Sequence, residues 1–344
     1  MIALSESGTR AVAAGGATEA PAAATSPIRR ILVATRGTPV TSGALRVARA
    51  LAERTGASCE LLTVHEPRIP LPEHEDLPRR EWYEPPDRVD AAQLVRRVRR
   101  QRRSVLGEVP CWPVRLEVGY PPRVIARVAR QMRADLVIVG LGRTEPSDRR
   151  FGSETGLRLS MLGAGAVLVV PREQQSLPRR ALVVVDRSRP DSFVAEQALA
   201  LLAEPATLWL AQLVPAHDAA RSPKVVDAAA AELEKLCRRL LRLPWAPHAL
   251  ELRRAVITAG SIEQLLRFVE AERIELIATP VHGSTFEERV VMSNVVAPLF
   301  RSAWCSLLAA PESEARASRA TWEDGAGVES RWRPGPQPGT TALR

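Results

Sequence analysis

Residues 135–153 read Asp135-Leu136-Val137-Ile138-Val139-Gly140-Leu141-Gly142-Arg143-Thr144-Glu145-Pro146-Ser147-Asp148-Arg149-Arg150-Phe151-Gly152-Ser153. The apolar run Leu136 to Val139, ending at a glycine, has the length and unbroken hydrophobicity of a strand covered on both faces, the pattern of parallel sheets. Gly140 and Gly142 stand at its C-terminal end, where a backbone without side chains lets a ligand come close. After nine intervening residues, Gly152-Ser153 opens a helix. Its first N–H groups and positive dipole end suit a phosphate, and Ser153 can cap them. A crevice of this kind, outside the strand ends, is where doubly wound sheets bind their ligands.

Upstream, Ile31-Leu32-Val33-Ala34-Thr35 predicts a first strand, and Ala44, Val47, Ala48 and Leu51 at helix spacing predict a helix over 42–54. Strands are expected over 59–64 and 114–118, with helices over 89–106 and 124–132, and a last strand over 166–170. The order then recurs. Ala181-Leu182-Val183-Val184-Val185 repeats the first strand at an offset of 150, and Glu275-Leu276-Ile277-Ala278 repeats Asp135-Leu136-Val137-Ile138 at 140. Gly260 repeats Gly119 and Gly283 repeats Gly142, both at 141, and Pro311 repeats Pro171 at 140. The predicted fold is therefore α/β: two tandem Rossmann-like domains, each a mainly parallel five-stranded sheet with helices on both faces. The expected boundaries are an unstructured segment 1–27, a first domain 28–172, a linker 173–178, a second domain 179–311 and an unstructured, Pro- and Gly-rich tail 312–344. The final strands 166–170 and 306–310 hold equivalent places, and they are expected to pair across the copies as an intramolecular pseudo-dimer that hides two sheet edges.

With 344 residues, 45% hydrophobic and 25% charged, the composition is that of an ordinary globular chain. The best apolar run, Met161 to Pro171, is eleven residues long with two glycines, too short for the roughly 20 apolar residues of a membrane span. The first 27 residues carry Glu6 and Glu19 and lack a compact apolar stretch, so no secretory signal is expected. Cys59, Cys111, Cys237 and Cys305 form no C-x-x-C pair, which predicts single thiols in a reducing compartment, the cytoplasm, and no metal site. The positive charge is uneven. Residues 28–172 hold 26 arginines against 16 acids, and residues 179–311 hold 16 basic against 15 acidic residues.

Over about residues 28–311 the chain resembles the universal stress protein family in tandem arrangement. The resemblance is carried by the opening strand with Thr35, by Leu62-Thr63-Val64, by Gly119-x-Pro121, and by Gly140-x-Gly142, nine residues, Gly152-Ser153. It implies a nucleotide-binding regulator of the stress response without catalytic residues, whose ligand in the first domain is ATP, with magnesium, or a related phosphate-bearing molecule. It further implies that Gly140, Gly142, Gly152 and Ser153 contact phosphates and ribose, and that Thr35, Arg36 and Val64 line the adenine side.

Both copies depart from the family pattern. In the first, the glycine gap is one residue short and Arg36 replaces the usual acid; a guanidinium accepts no hydrogen bond but pairs with phosphate in bidentate fashion. The second keeps an acid, Asp186, but its loop reads Pro280-Val281-His282-Gly283, nine residues, Ser293-Asn294. Pro280 removes an N–H and Ser293 adds a Cβ, so this site reads as degenerate. Two alternative functions follow from other features. One is a ligand-free scaffold using the arginine-rich helix 96–103 to bind an acidic protein or nucleic acid; without interleaved aromatics, nucleic acid is the weaker partner. The other is a slow nucleotide hydrolase, which lacks a placed carboxylate or lysine beside the phosphates. Neither lysine follows a glycine, which excludes a Walker A loop. The metal-capable side chains of the loop from His65 to Asp76 lack a rigid histidine pair, so they read as a polar loop.

Overall fold

A computed structural model describes residues 2–3, 26–66, 91–108, 111–141, 152–185, 192–215, 222–259, 262–281, 298–299 and 304–311. The elements of the first copy are β2 (Arg30–Ala34), α1 (Ser42–Thr55), β3 (Ser58–His65), α2 (Ala91–Leu106), β4 (Val114–Val118), α3 (Pro121–Gln131), β5 (Leu136–Leu141), α4 (Gly152–Met161) and β6 (Ala166–Pro171). Those of the second are β7 (Arg180–Val185), α5 (Ser192–Leu201), β8 (Ala206–Pro215), α6 (Pro223–Leu240), β9 (Leu250–Ala259), α7 (Ile262–Ala271), β10 (Leu276–Val281) and β11 (Ser306–Pro311).

Each copy builds a parallel five-stranded sheet, with β2 central in the order β6-β5-β2-β3-β4 and β7 central in β11-β10-β7-β8-β9. The two sheets are not separate. β6 and β11 pair antiparallel, Leu168 opposite Leu308, and fuse them into one sheet of eleven strands. The eleventh, β1 (Ile2–Ala3), pairs antiparallel with β9. Ile2 and Ala3 differ from the expectation of an unstructured 1–27: the outer edge of β9 offers backbone donors and acceptors, and these two residues pair with it at Val256 and Ile257.

Strand alternation divides the core into two layers. Ile31, Val33, Leu136 and Ile138 pack under α1 and α2, in a layer that continues across the seam to α5 and α6. Leu32, Ala34, Val137 and Val139 pack under α3 and α4, in a layer that continues to α7.

The duplication is visible in matching local chemistry. The carboxylate of Asp135 accepts the N–H groups of Arg29 and Arg30 at 2.9 Å, and that of Glu275 accepts the N–H of Arg179 at 2.6 Å. The helices before β5 and β10 both end at an arginine in the left-handed region, Arg133 and Arg273, each with φ of 50°. α3 begins at Pro121 rather than Val124, because proline is pre-set for the first helical turn, where its missing N–H costs nothing. α1 also reaches across the seam. The Arg54 guanidinium donates to Leu202 O and Ala200 O at the end of α5, where carbonyls lack helical partners. Arg46 donates to Arg172 O at 2.6 Å and Gln174 O at 2.9 Å, fixing the connecting segment.

Burial pushes the thiols of Cys59 and Cys305 up to about 12 and that of Cys237 up to about 11, because a thiolate would have to be desolvated. Unfolded thiols ionise near 9 while the folded ones keep their protons, so the fold is expected to lose stability as pH rises from about 9 to about 12. Cys111 is exposed. A thiol reagent at pH 8 should therefore modify one cysteine in the folded protein and four in denaturant; four in the folded protein would contradict this packing.

Candidate functional site

A cavity of about 400 Å³ opens at the C-terminal ends of β2, β3 and β5. It lies where the strand order reverses, with β3 and β4 on one side of β2 and β5 and β6 on the other. The chain leaves β2 toward α1 on one face of the sheet and leaves β5 toward α4 on the other, which opens the crevice that doubly wound sheets use. Its floor is apolar: Ala34, Leu62, Val64 and Val139 from the strands, with Pro122 and Ile125 from the start of α3. Thr35, Thr38 and Thr41 line it from the turn after β2, and further polar groups come from neighbouring element ends. Arg36 follows β2, Glu66 follows β3, Tyr120 precedes α3, and Thr155 and Arg158 come from the first two turns of α4. The Arg158 guanidinium lies 5.8 Å from the centre of the Tyr120 ring. The volume falls within the range of about 300–1,000 Å³ typical of small-molecule sites.

The turn after β2 is held by buried hydrogen bonds. The Thr35 hydroxyl donates to Gln101 Oε1 at 2.9 Å, accepts the Gly37 N–H at 3.0 Å and lies 2.6 Å from the Thr41 hydroxyl. Gln101 Nε2 donates to Thr41 Oγ1 at 2.9 Å and to Thr38 O. Two glycines permit this packing. Gly37, at φ +72°, would bring a Cβ to 2.7 Å from the α2 backbone at Arg97 and Val98. A Cβ on Gly140 would come within 2.7 Å of Val40 O.

Of the residues expected at a nucleotide site, Thr35, Arg36, Val64 and Gly140 are brought together in this cavity. Thr35 anchors the loop with its hydroxyl. Gly140 gives room to the Val40–Thr41 turn as well as lining the cavity. Gly152 is the first residue of α4, while Gly142 and the side chain of Ser153 lie outside the described residues. Sequence reasoning missed Gln101, although the spacing 94, 98, 101, 105 puts it on the apolar stripe of α2. It also missed Tyr120, Pro122, Ile125, Thr155 and Arg158, which only tertiary folding gathers.

In the second copy, the sheet register puts Pro280 opposite Ala310, as Gly140 stands opposite Val170. Val185 takes the place of Thr35 and brings no hydroxyl. Asp186, His282 and Ser293 lie outside the described residues. Among the described residues no group of three His, Cys, Asp or Glu could hold a metal ion, and the loop 67–90 lies outside them. No described helix is long and apolar enough to cross a membrane.

The sequence model of the Universal stress protein family matches residues 27–156 and 178–311. A functionally unknown protein from Pseudomonas aeruginosa PAO1 is similar in structure at TM-score 0.55 and 14% identity, covering 87% of this chain and 98% of its own. A universal stress protein from Archaeoglobus fulgidus is similar at TM-score 0.55 and 11% identity, covering 83% and 97%. A universal stress protein in complex with cAMP matches 42% of the chain and 98% of its own at 18% identity, with a TM-score of 0.30. No curated protein matches the chain.

Proposed function

The chain belongs to the universal stress protein family, and from that premise we propose that its first copy binds ATP or a related phosphate-bearing ligand as a cytoplasmic stress-response regulator without dedicated catalysis. The observation that carries this reading is the cavity at the strand reversal, apolar at its floor and fringed by Arg36 and Arg158. An apolar slot of this size takes a planar base by burial of its faces, and two guanidinium groups take phosphate by charge-assisted hydrogen bonds. Thr155, in the first turn of α4, lines the same cavity, so the positive end of that helix adds to the anion's stabilisation. Glu66 is the one carboxylate among the described lining residues. It supplies the hydrogen-bond acceptor that Arg36 cannot, for ribose hydroxyls or an exocyclic amine. Magnesium would enter on the phosphates.

The second copy serves as a structural partner. With Pro280 in place of a glycine it completes a pseudo-dimer through β6 and β11 and binds no nucleotide. The test is calorimetric titration of ATP, with and without magnesium, into nucleotide-stripped protein beside Gly152→Asp. An aspartate in the first turn favours a helix but repels a phosphate there, so lost binding would not reflect lost folding. About one equivalent bound by the wild type and none by the variant is the expected result. No heat and no thermal shift in the wild type would refute the reading.

A further inference from the structure

The sheet ends differently on its two sides. The outer edge of β9 is paired by β1 at Val256 and Ile257, whereas no strand among the described residues pairs with the outer edge of β4. Pro113 O accepts the Leu61 N–H and the Gly119 N–H donates to His65 O. The odd-numbered residues of this segment therefore turn their backbone groups toward β3, and by alternation Val114, Leu116 and Val118 turn theirs outward. Val118 is also 58% exposed. Among the described residues nothing pairs with this short run of donors and acceptors, which an added strand can use.

Beside this edge lies a helix of one sign of charge. α2 packs over β3 and β4, carries six arginines and contains no acidic residue. Its Leu94, Val98 and Gln101 face inward. Arg102 leaves that buried stripe on the side of β4, donating to Trp112 O at 2.9 Å and approaching Cys111 Sγ at 3.6 Å. At about 100° per residue, Arg99, Arg103 and Arg96 follow Arg102 round the same flank, and all three are exposed. Arg103 meets Glu108 at 3.4 Å, with both side chains largely in solvent; Arg96 and Arg99 meet no acid among the described residues.

We propose that the β4 edge and the Arg96–Arg99–Arg103 flank of α2 together form a docking site for an extended, acidic peptide segment of another protein. The peptide's backbone adds to the sheet through Val114, Leu116 and Val118, and its carboxylates pair with the arginines. Backbone pairing gives affinity and the charged flank gives selection, as in other strand-addition complexes. A second copy of this chain is disfavoured as the occupant, because it would set two arginine helices side by side. Nucleic acid has no use for the strand edge and finds no aromatic side chain on α2 for its bases.

The probe is a fluorescently labelled ten-residue peptide of alternating Glu and Val, read by anisotropy on the full chain, with a labelled ten-nucleotide single-stranded DNA as competitor class. Two variants separate the two halves of the site. Val118→Pro removes an outward N–H, which an edge strand tolerates, and Arg96→Glu with Arg99→Glu reverses charge on an exposed face. The peptide is expected to bind the wild type more weakly as salt rises, and each variant is expected to lose at least tenfold in affinity with an unchanged melting temperature. Amide exchange at Val114, Leu116 and Val118 should slow when peptide is bound. Failure of the peptide to bind overturns the proposal. So does loss with the arginine variant but not with Val118→Pro, or a DNA that binds tighter than the peptide and is indifferent to Val118→Pro.

Discussion

Gly43→Ala is expected to destabilise the protein by about 3 kcal/mol and to lower its melting temperature by about 5 °C. Helix propensity alone predicts the reverse, since alanine is better than glycine inside a helix by about 1 kcal/mol. The difference is packing. A Cβ on Gly43 would stand 1.9 Å from Pro171 O, a backbone atom at the end of β6 that cannot rotate away. To make room, α1 must shift off the sheet, and α1 also carries Arg46 on the connecting segment and Arg54 on the end of α5. The displacement therefore reaches both copies. Gly56→Ala is the internal control: Gly56 ends α1 at φ +70° with nothing within 4 Å of its added Cβ, so it incurs only backbone strain of about 1 kcal/mol. Differential scanning calorimetry of the two variants decides the matter. Equal midpoints would mean that α1 does not sit on β6 as closely as described.

The strands were legible because burial on both faces forces unbroken apolar runs: Ile31 to Ala34, Leu136 to Val139 and Val167 to Val170 stand out against polar surroundings. The offset between copies was legible for the same reason. What stayed hidden depends on chain segments meeting across long separations. Gly43 looks like an ordinary weak point in a helix until β6 is set against it. Gln101 looks like one more polar residue in an arginine-rich helix until Thr35 and Thr41 are placed beneath it. Arg133 and Arg273 break the rule that a left-handed helix end wants glycine, so no local signal marks those ends. At the candidate site, the family resemblance pointed to Thr35, Arg36, Val64 and Gly140, and these four line one cavity. The walls from α3 and α4 came only with the fold, because Tyr120, Ile125 and Arg158 belong to no local pattern that points to a ligand.

The seam supports the second large effect. Leu308→Asp is expected to cost about 4 kcal/mol or more, the scale of an unpaired charge placed in an apolar interior. Leu308 is fully buried on β11, opposite Leu168 of β6, and both belong to the core layer that runs continuously beneath α1 and α5. An aspartate there meets hydrocarbon on every side, and the seam's backbone ladder positions it without a partner. Because that core layer spans the seam, the wild type is expected to unfold in one cooperative transition. The variant should unfold in two, as each half loses the neighbour that covers its last strand. Exposed β6 and β11 edges would then pair between chains, so the variant should also elute from size exclusion as concentration-dependent oligomers. An unchanged single transition at an unchanged midpoint would mean that the antiparallel pairing of β6 with β11 contributes little to holding the tandem copies together.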